Sequence, residues 1–161
     1  MLRFVLVLPA LAIVSVAAAG HVQTLNAPKA NLAKAYAPSP NGEPASIERQ
    51  NDGLFYAYAE INGTPVRFIV DTGSSVVVLK PSDARRAGIA PTQGSRTRVE
   101  TAGGPSTMRV TTIDRVRLAG QTLSDIDAAV VDGNIETSLL GQSVLAKLES
   151  VRIQGGTLRL N

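Results

Sequence analysis

A chain of 161 residues that is 44% hydrophobic is the size of one globular domain with a tail, and it is too apolar for a disordered protein. A formal charge of +3, with scattered basic residues and aromatics at 4%, argues against a nucleic-acid surface. No cysteine is present and the one histidine is His21, which excludes thiol chemistry, disulfides, a histidine zinc site and a well-placed imidazole for a Ser-His-Asp triad.

The N-terminus reads as an export signal. Met1-Leu2-Arg3 is a short positive start, residues 4–20 carry no charge, and Ala17-Ala18-Ala19 offers an A-x-A cleavage site. An uncleaved membrane anchor is the competing reading of residues 1–20, although the stretch is near the lower length limit for a span and Pro9 interrupts it. In either case the rest of the chain is expected in the periplasm or cell envelope, and in the second case it is tethered through residues 4–20. Residues 21–52 read as a flexible linker, because Pro, Asn, Ala and charges mix there without a period and APSPNGEP is too proline-rich for an element interior. A helix over Ala30 to Ala37 would be short.

From about Gly53 the texture changes to short β segments. LFYAYAEI alternates, with Phe55, Ala57, Ala59 and Ile61 on one face. Asn62-Gly63 before PVRFIV predicts a hairpin, since both turn positions favour positive φ. VVVL reads as a buried strand. PSDARRAG reads as a short helix, with Pro81 in its first turn, Gly88 just past its end and Arg85-Arg86 on an exposed face. RTRVETAGGPSTMRVTTIDRVRLAG predicts a second hairpin with its tip at Ala102-Gly103-Gly104-Pro105. Its arms set Val99, Met108, Val110 and Ile113 against Arg98, Glu100, Arg109 and Thr112. LSDIDAAVV is a strand ended by Asp132-Gly133-Asn134, and TSLLGQSVLAKL passes from strand to short helix at Gly141. SVRIQGGTLRL is a closing hairpin over Gly155-Gly156. Strands at such short intervals define a small all-β domain, sandwich or barrel, with two short helices. Asp114, Asp125 and Asp127 read as solvated strand-end charges rather than Ca²⁺ ligands, because no tight oxygen cluster with a bidentate Glu accompanies them.

Carboxylates, hydroxyls, lysines and backbone groups remain for chemistry. FIVDTGSSVVVL, residues 68–79, sets Asp71 inside an apolar run, where a lone buried charge would be costly. Thr72, Gly73, Ser74 and Ser75 follow at once, and Gly73 lets the backbone come close to whatever Asp71 faces. Asp71 is either a turn residue satisfied by Ser74 and Ser75 or the carboxylate of a site. A Ser-Lys dyad of Ser74 or Ser75 with Lys80 would have a strand between its members.

Three pieces in order, FIVDTGSS, the glycine-rich hairpin around TAGG, and SLLGQSVL about seventy residues past Asp71, carry a family pattern. Over residues 53–161 the chain resembles the bacterial retropepsin-like aspartic proteases (clan AA), single-domain relatives of retroviral protease. The resemblance implies an all-β, small closed β-barrel with a flap hairpin and one or two short helices. It also implies an aspartic endopeptidase, a hydrolase without metal or cofactor, in which two facing carboxylates share one proton and activate a water. This chain has a single Asp-Thr-Gly, and Asp132-Gly133 lacks the middle residue. The implied dyad therefore requires a homodimer, with two Asp71 residues meeting on its two-fold axis.

By the same resemblance, Thr72 is expected to bond across that axis and Gly73 to give its N–H to the carboxylate region. Ser74 is expected beside Asp71, placed to hydrogen-bond its outer oxygen. Thr101, Ala102, Gly103 and Gly104 would form the flap tip, closing over a polypeptide bound in extended form. Leu139, Leu140 and Gly141 would support the loop from behind, with both leucines near substrate side chains. The rival readings are a non-catalytic dimeric peptide-binding or scaffold module of the same fold, and a monomeric envelope β-domain.

Overall fold

The computed structural model describes residues 45–90, 96–101, 104–133 and 135–161. The expected export segment, the expected linker up to residue 44 and the short helix over 30–37 lie outside the described residues, as do Ala102 and Gly103 of the expected flap tip. In chain order the elements are β1 (Ala45–Glu48), β2 (Tyr56–Ile61), β3 (Thr64–Val70), β4 (Val77–Leu79), α1 (Pro81–Arg86), β5 (Arg96–Thr101), β6 (Gly104–Leu118), β7 (Gln121–Val131), β8 (Ser138–Leu140), α2 (Gln142–Leu145), β9 (Val151–Gln154) and β10 (Thr157–Leu160).

Strands β2-β3-β8-β4-β7-β6 form a closed barrel, with β6 returning to β2 through Glu60↔Arg117 and Ile61↔Val116. At 15 residues, β6 is long enough to pair with β2 near its end and with β5 near its start. The β5–β6 hairpin therefore extends beyond the barrel wall. Alternation along β2 and β3 sends Ala57, Ala59, Ile61, Val66 and Phe68 inward, where they meet Val77, Leu79, Ile113, Ile126 and Leu140 in one core. Asn62 and Gly63 turn the β2–β3 hairpin with φ of 50° and 85°, as the sequence predicts, and Gly155 and Gly156 turn β9–β10 with 57° and 88°.

Three features depart from expectation. Ala45–Glu48 falls within the segment read as linker, yet it forms β1, paired with β10 through Ala45↔Leu160 and Ile47↔Leu158. A strand of four residues with Ile47 as its one large apolar side chain is too short to show a period. The second departure lies in the β6–β7 hairpin. Val110 was grouped with Ile113, but it is 52% exposed, and Thr111 is buried in its place. Burial then changes parity between Ile113 and Val116, where the ladder breaks between Ile113↔Ile126 and Arg115↔Ser124 and Asp125 takes a φ of 52°. A strict period-two pattern does not anticipate a strand that changes the face it buries. Asp114, Asp125 and Asp127 are exposed, but they lie within β6 and β7 rather than at strand ends.

Candidate active site

Strands β3 and β8 run parallel, with Val70 opposite Leu140. Asp71 is the first residue past that ladder, and its N–H still donates to Leu140 O at 3.1 Å. The chain then turns sharply. Ser74 N–H donates back to Asp71 O at 3.3 Å, and Gly73 N–H donates to Asp71 Oδ1 at 2.9 Å. A Cβ on residue 73 would lie 3.2 Å from that same oxygen, so a glycine keeps the approach open. Oδ2 makes no hydrogen bond among the described residues. Asp71 is half-buried and Thr72 and Gly73 are exposed, so the carboxylate is fixed in orientation yet within reach of a second molecule.

The loop is held from behind by α2. The first N–H groups of a helix have no partner within it. Here Gln142 N–H donates to Ser74 O at 2.8 Å and Ser143 N–H to Ser75 O at 3.0 Å. Side chains add to this brace. Gln142 Nε2 donates to Thr72 O at 3.0 Å, and Ser143 Oγ accepts from Val77 N–H at 3.1 Å while donating to Asp127 O at 2.8 Å. Gly141 lies against the same loop, since a Cβ there would overlap Val76 O and lie 2.6 Å from Ser74 O. Gln142 and Ser143 escaped the sequence reading. Their one signal was a pair of polar residues opening a short helix directly after Leu-Leu-Gly.

Two expected positions are corrected. Ser74 Oγ does not reach the outer oxygen of Asp71 but donates to Val76 O at 2.8 Å, two residues on, closing the turn locally. Leu139 and Leu140 do not share a face, because successive strand residues point oppositely. Leu140 is fully buried in the core, whereas Leu139 is half-buried and faces the other way with its ladder partners Ile69 and Val78. At the flap, Thr101 pairs with Gly104 at the outer end of the β5–β6 ladder.

A buried polar cluster ties α1 to β8. Asp83 and Ser138 are 4% and 0% exposed. Ser138 Oγ donates to Asp83 Oδ2 at 2.7 Å and accepts from Lys80 N–H at 3.1 Å, and Arg86 Nη2 lies 2.6 Å from Asp83 Oδ1. Arg85 and Arg86 both lie on an exposed face, and Arg86 reaches from it to Asp83. Lys80 Nζ donates to Glu136 O at 3.0 Å, away from any Ser-Lys dyad. Among the described residues no three acidic or histidine side chains gather as a metal site would need. Before β3, Tyr56 OH donates to Asp52 Oδ2 at 2.7 Å and Leu54 N–H to Oδ1 at 3.0 Å. The Tyr56 bond chiefly holds the Asp52 carboxyl below its ordinary value, and that bond in turn raises the Tyr56 phenol.

The aspartyl protease family model matches residues 57–144. That is more than half of the chain, which belongs to the aspartyl protease family. Its barrel is of the retropepsin-like kind. The structure is similar to a retropepsin-like aspartic protease from Rickettsia conorii, at 31% identity and a TM-score of 0.63, covering 73% of this chain and 88% of that one. By sequence the chain is similar to an uncharacterised protein of Rickettsia prowazekii (34% identical) and to one encoded in a cobV 5′ region of Sinorhizobium sp. (29%), each over 116 residues. Both alignments cover 71% of this chain and 50% of the relative, so the chain spans about half the length of the curated relatives it matches.

Proposed function

We propose that the chain is an aspartic endopeptidase acting as a homodimer, with a water activated by two Asp71 carboxylates, one from each subunit. The observation that carries this reading is the Asp71 side chain: Oδ1 is held by Gly73 N–H at 2.9 Å, and Oδ2 has no bond among the described residues. One fixed and one available oxygen suit a carboxylate that orients a water. A single carboxylate cannot be base and acid at the same moment. The second comes from an identical chain across a two-fold axis.

Two carboxylates that close hold one proton between them and titrate as a unit. The ionised one takes a proton from the water as its oxygen attacks the scissile carbonyl carbon. The protonated one gives its proton to the carbonyl oxygen. Collapse of the resulting diol breaks the C–N bond and returns a proton to the leaving nitrogen. In this reading Thr72 bonds across the axis, and the β5–β6 flap closes over a polypeptide bound as an added strand. Leu139, not Leu140, meets its side chains. Residues 1–20 export the chain to the periplasm or envelope, or tether it there. A linker then leads to a domain that starts at Ala45.

Replacement of Asp71 by Asn tests the reading. The variant is expected to keep the wild-type circular dichroism spectrum and to lose about 10²–10⁴-fold in cleavage of an unfolded-protein or peptide library. Unchanged cleavage would overturn the assignment. A wild-type chain that binds peptides but cleaves none from acid to neutral pH would favour the non-catalytic module.

A further inference from the structure

The chemistry proposed above leaves one well-connected carboxylate unused. Asp132 follows β7 directly, and its N–H extends the β6–β7 ladder by donating to Thr107 O at 2.7 Å. Its side chain reaches both strands of the flap hairpin. From β6, Thr107 Oγ1 donates to Oδ2 at 3.1 Å and Arg109 Nη2 lies 2.9 Å from Oδ1. From β5, Arg96 Nε lies 3.4 Å from Oδ2. Arg96 and Arg109 are themselves ladder partners. Like charges directly opposite on neighbouring strands repel, so the hairpin is strained at its root unless an anion lies against the pair.

Asp132 supplies that anion. It lies against the cross-strand arginine pair and links both hairpin strands to the end of a barrel strand, more firmly through Arg109 than through Arg96, whose side chain is 69% exposed. Its side chain is 25% exposed and that of Arg109 35%, so water screens this contact less than a fully exposed pair. Among the described residues Arg109 Nε is buried without an acceptor, and this guanidinium meets a carboxylate at Asp132 through Nη2. Arg98, two residue pairs further out, lines the same depression beside Thr107, Asp132 and Gly133, and forms no ion pair among the described residues. Arg109 pairs with Val130, whereas Val110 pairs with Ala129, the neighbour of Val78. By strand alternation Asp132 is therefore on the opposite face from Val78 and Leu139, out of direct reach of a peptide lying on that face.

We propose that Asp132 is the positioning residue of the flap, a latch at the hairpin root that sets how β5 and β6 stand over a bound peptide. The proposal rests on the reading of this hairpin as the substrate flap, so its test has one arm that needs no catalysis. Amide hydrogen exchange is followed in the full chain for Asp132→Asn, Asp132→Glu and Arg98→Ala, alongside peptide kinetics. Asp132→Asn keeps one acceptor oxygen for Thr107, removes the charge and turns the other oxygen into an N–H donor. It is expected to speed exchange severalfold at β5 and the start of β6, sparing β2 and β3, and to raise KM more than it lowers kcat. Asp132→Glu should recover part of both effects, and Arg98→Ala should match wild type. Added salt should loosen the flap of the wild type, a measurement that stands even if the Asn variant fails to fold.

Flap exchange that ignores both salt and the charge of residue 132 overturns the latch, whatever the activity. Faster flap exchange with unchanged KM overturns its role in positioning substrate. Faster exchange in a chain that cleaves nothing keeps the latch and refutes the enzyme reading instead.

Discussion

Gly141 carries the severest steric constraint near Asp71. A Cβ there would overlap Val76 O and press on Ser74 O, and both are backbone atoms of the loop that presents the carboxylate. Because backbone cannot swing aside as a long side chain can, Gly141→Ala is expected to destabilise the fold by about 1–3 kcal/mol or more. The displaced loop should lose cleavage as well. Urea unfolding of the variant checks the first effect, and wild-type stability would show that the loop can shift. The residues of this site were unequally legible. Asp71, Gly73 and Gly141 stood out because a charge in an apolar run and glycines at fixed offsets are local signals. Ser74 was misread because a serine hydroxyl has several acceptors within reach. Its choice of Val76 O over the carboxylate depends on backbone angles that composition does not encode. Asp83 gave no signal, since its burial depends on Ser138, 55 positions away.

At the scale of elements, β8 does two jobs with two adjacent leucines. Leu140 fills the barrel core and Leu139 shares the opposite face with Ile69 and Val78. Leu140→Ala is expected to cost about 2–5 kcal/mol, as large-to-small changes in a packed core do. Leu139→Ala should cost about 1 kcal/mol or less and act on peptide KM. Chemical denaturation beside peptide kinetics separates the two, and similar losses of stability would mean that Leu139 is also core. The hairpins at Asn62-Gly63 and Gly155-Gly156 were legible because positive-φ turns need particular residues. The change of buried face in β6–β7 was not, because it arises where two strands distort together at Asp125. Strand β1 was missed for a related reason: it is stabilised by β10, more than a hundred residues away, as the bond from Thr157 Oγ1 to Glu48 Oε1 at 2.9 Å with |i−j| of 109 illustrates.

At the scale of the molecule, β1, the first described strand, meets the last strand, β10, within one chain. The terminal sheet has the order β1-β10-β9, with Leu158 and Leu160 of β10 fully buried. Both edges of β10 are filled, so a second copy that extended this sheet would add at β1 or β9. Gly155-Gly156 indicates the β9–β10 hairpin, but nothing in the sequence indicates that β1 docks on β10, since pairing within a chain and pairing between chains use the same strand pattern. The same holds for the proposed dyad, because one copy of Asp-Thr-Gly would specify half of such a site and leave its completion to association. Cleavage measured across co-folded mixtures of wild-type and Asp71→Asn chains tests that completion directly. Since mixed dimers would hold one competent carboxylate, the expected specific activity falls as the square of the wild-type fraction. A linear fall, with each wild-type chain keeping its own activity, would contradict a site shared between two chains.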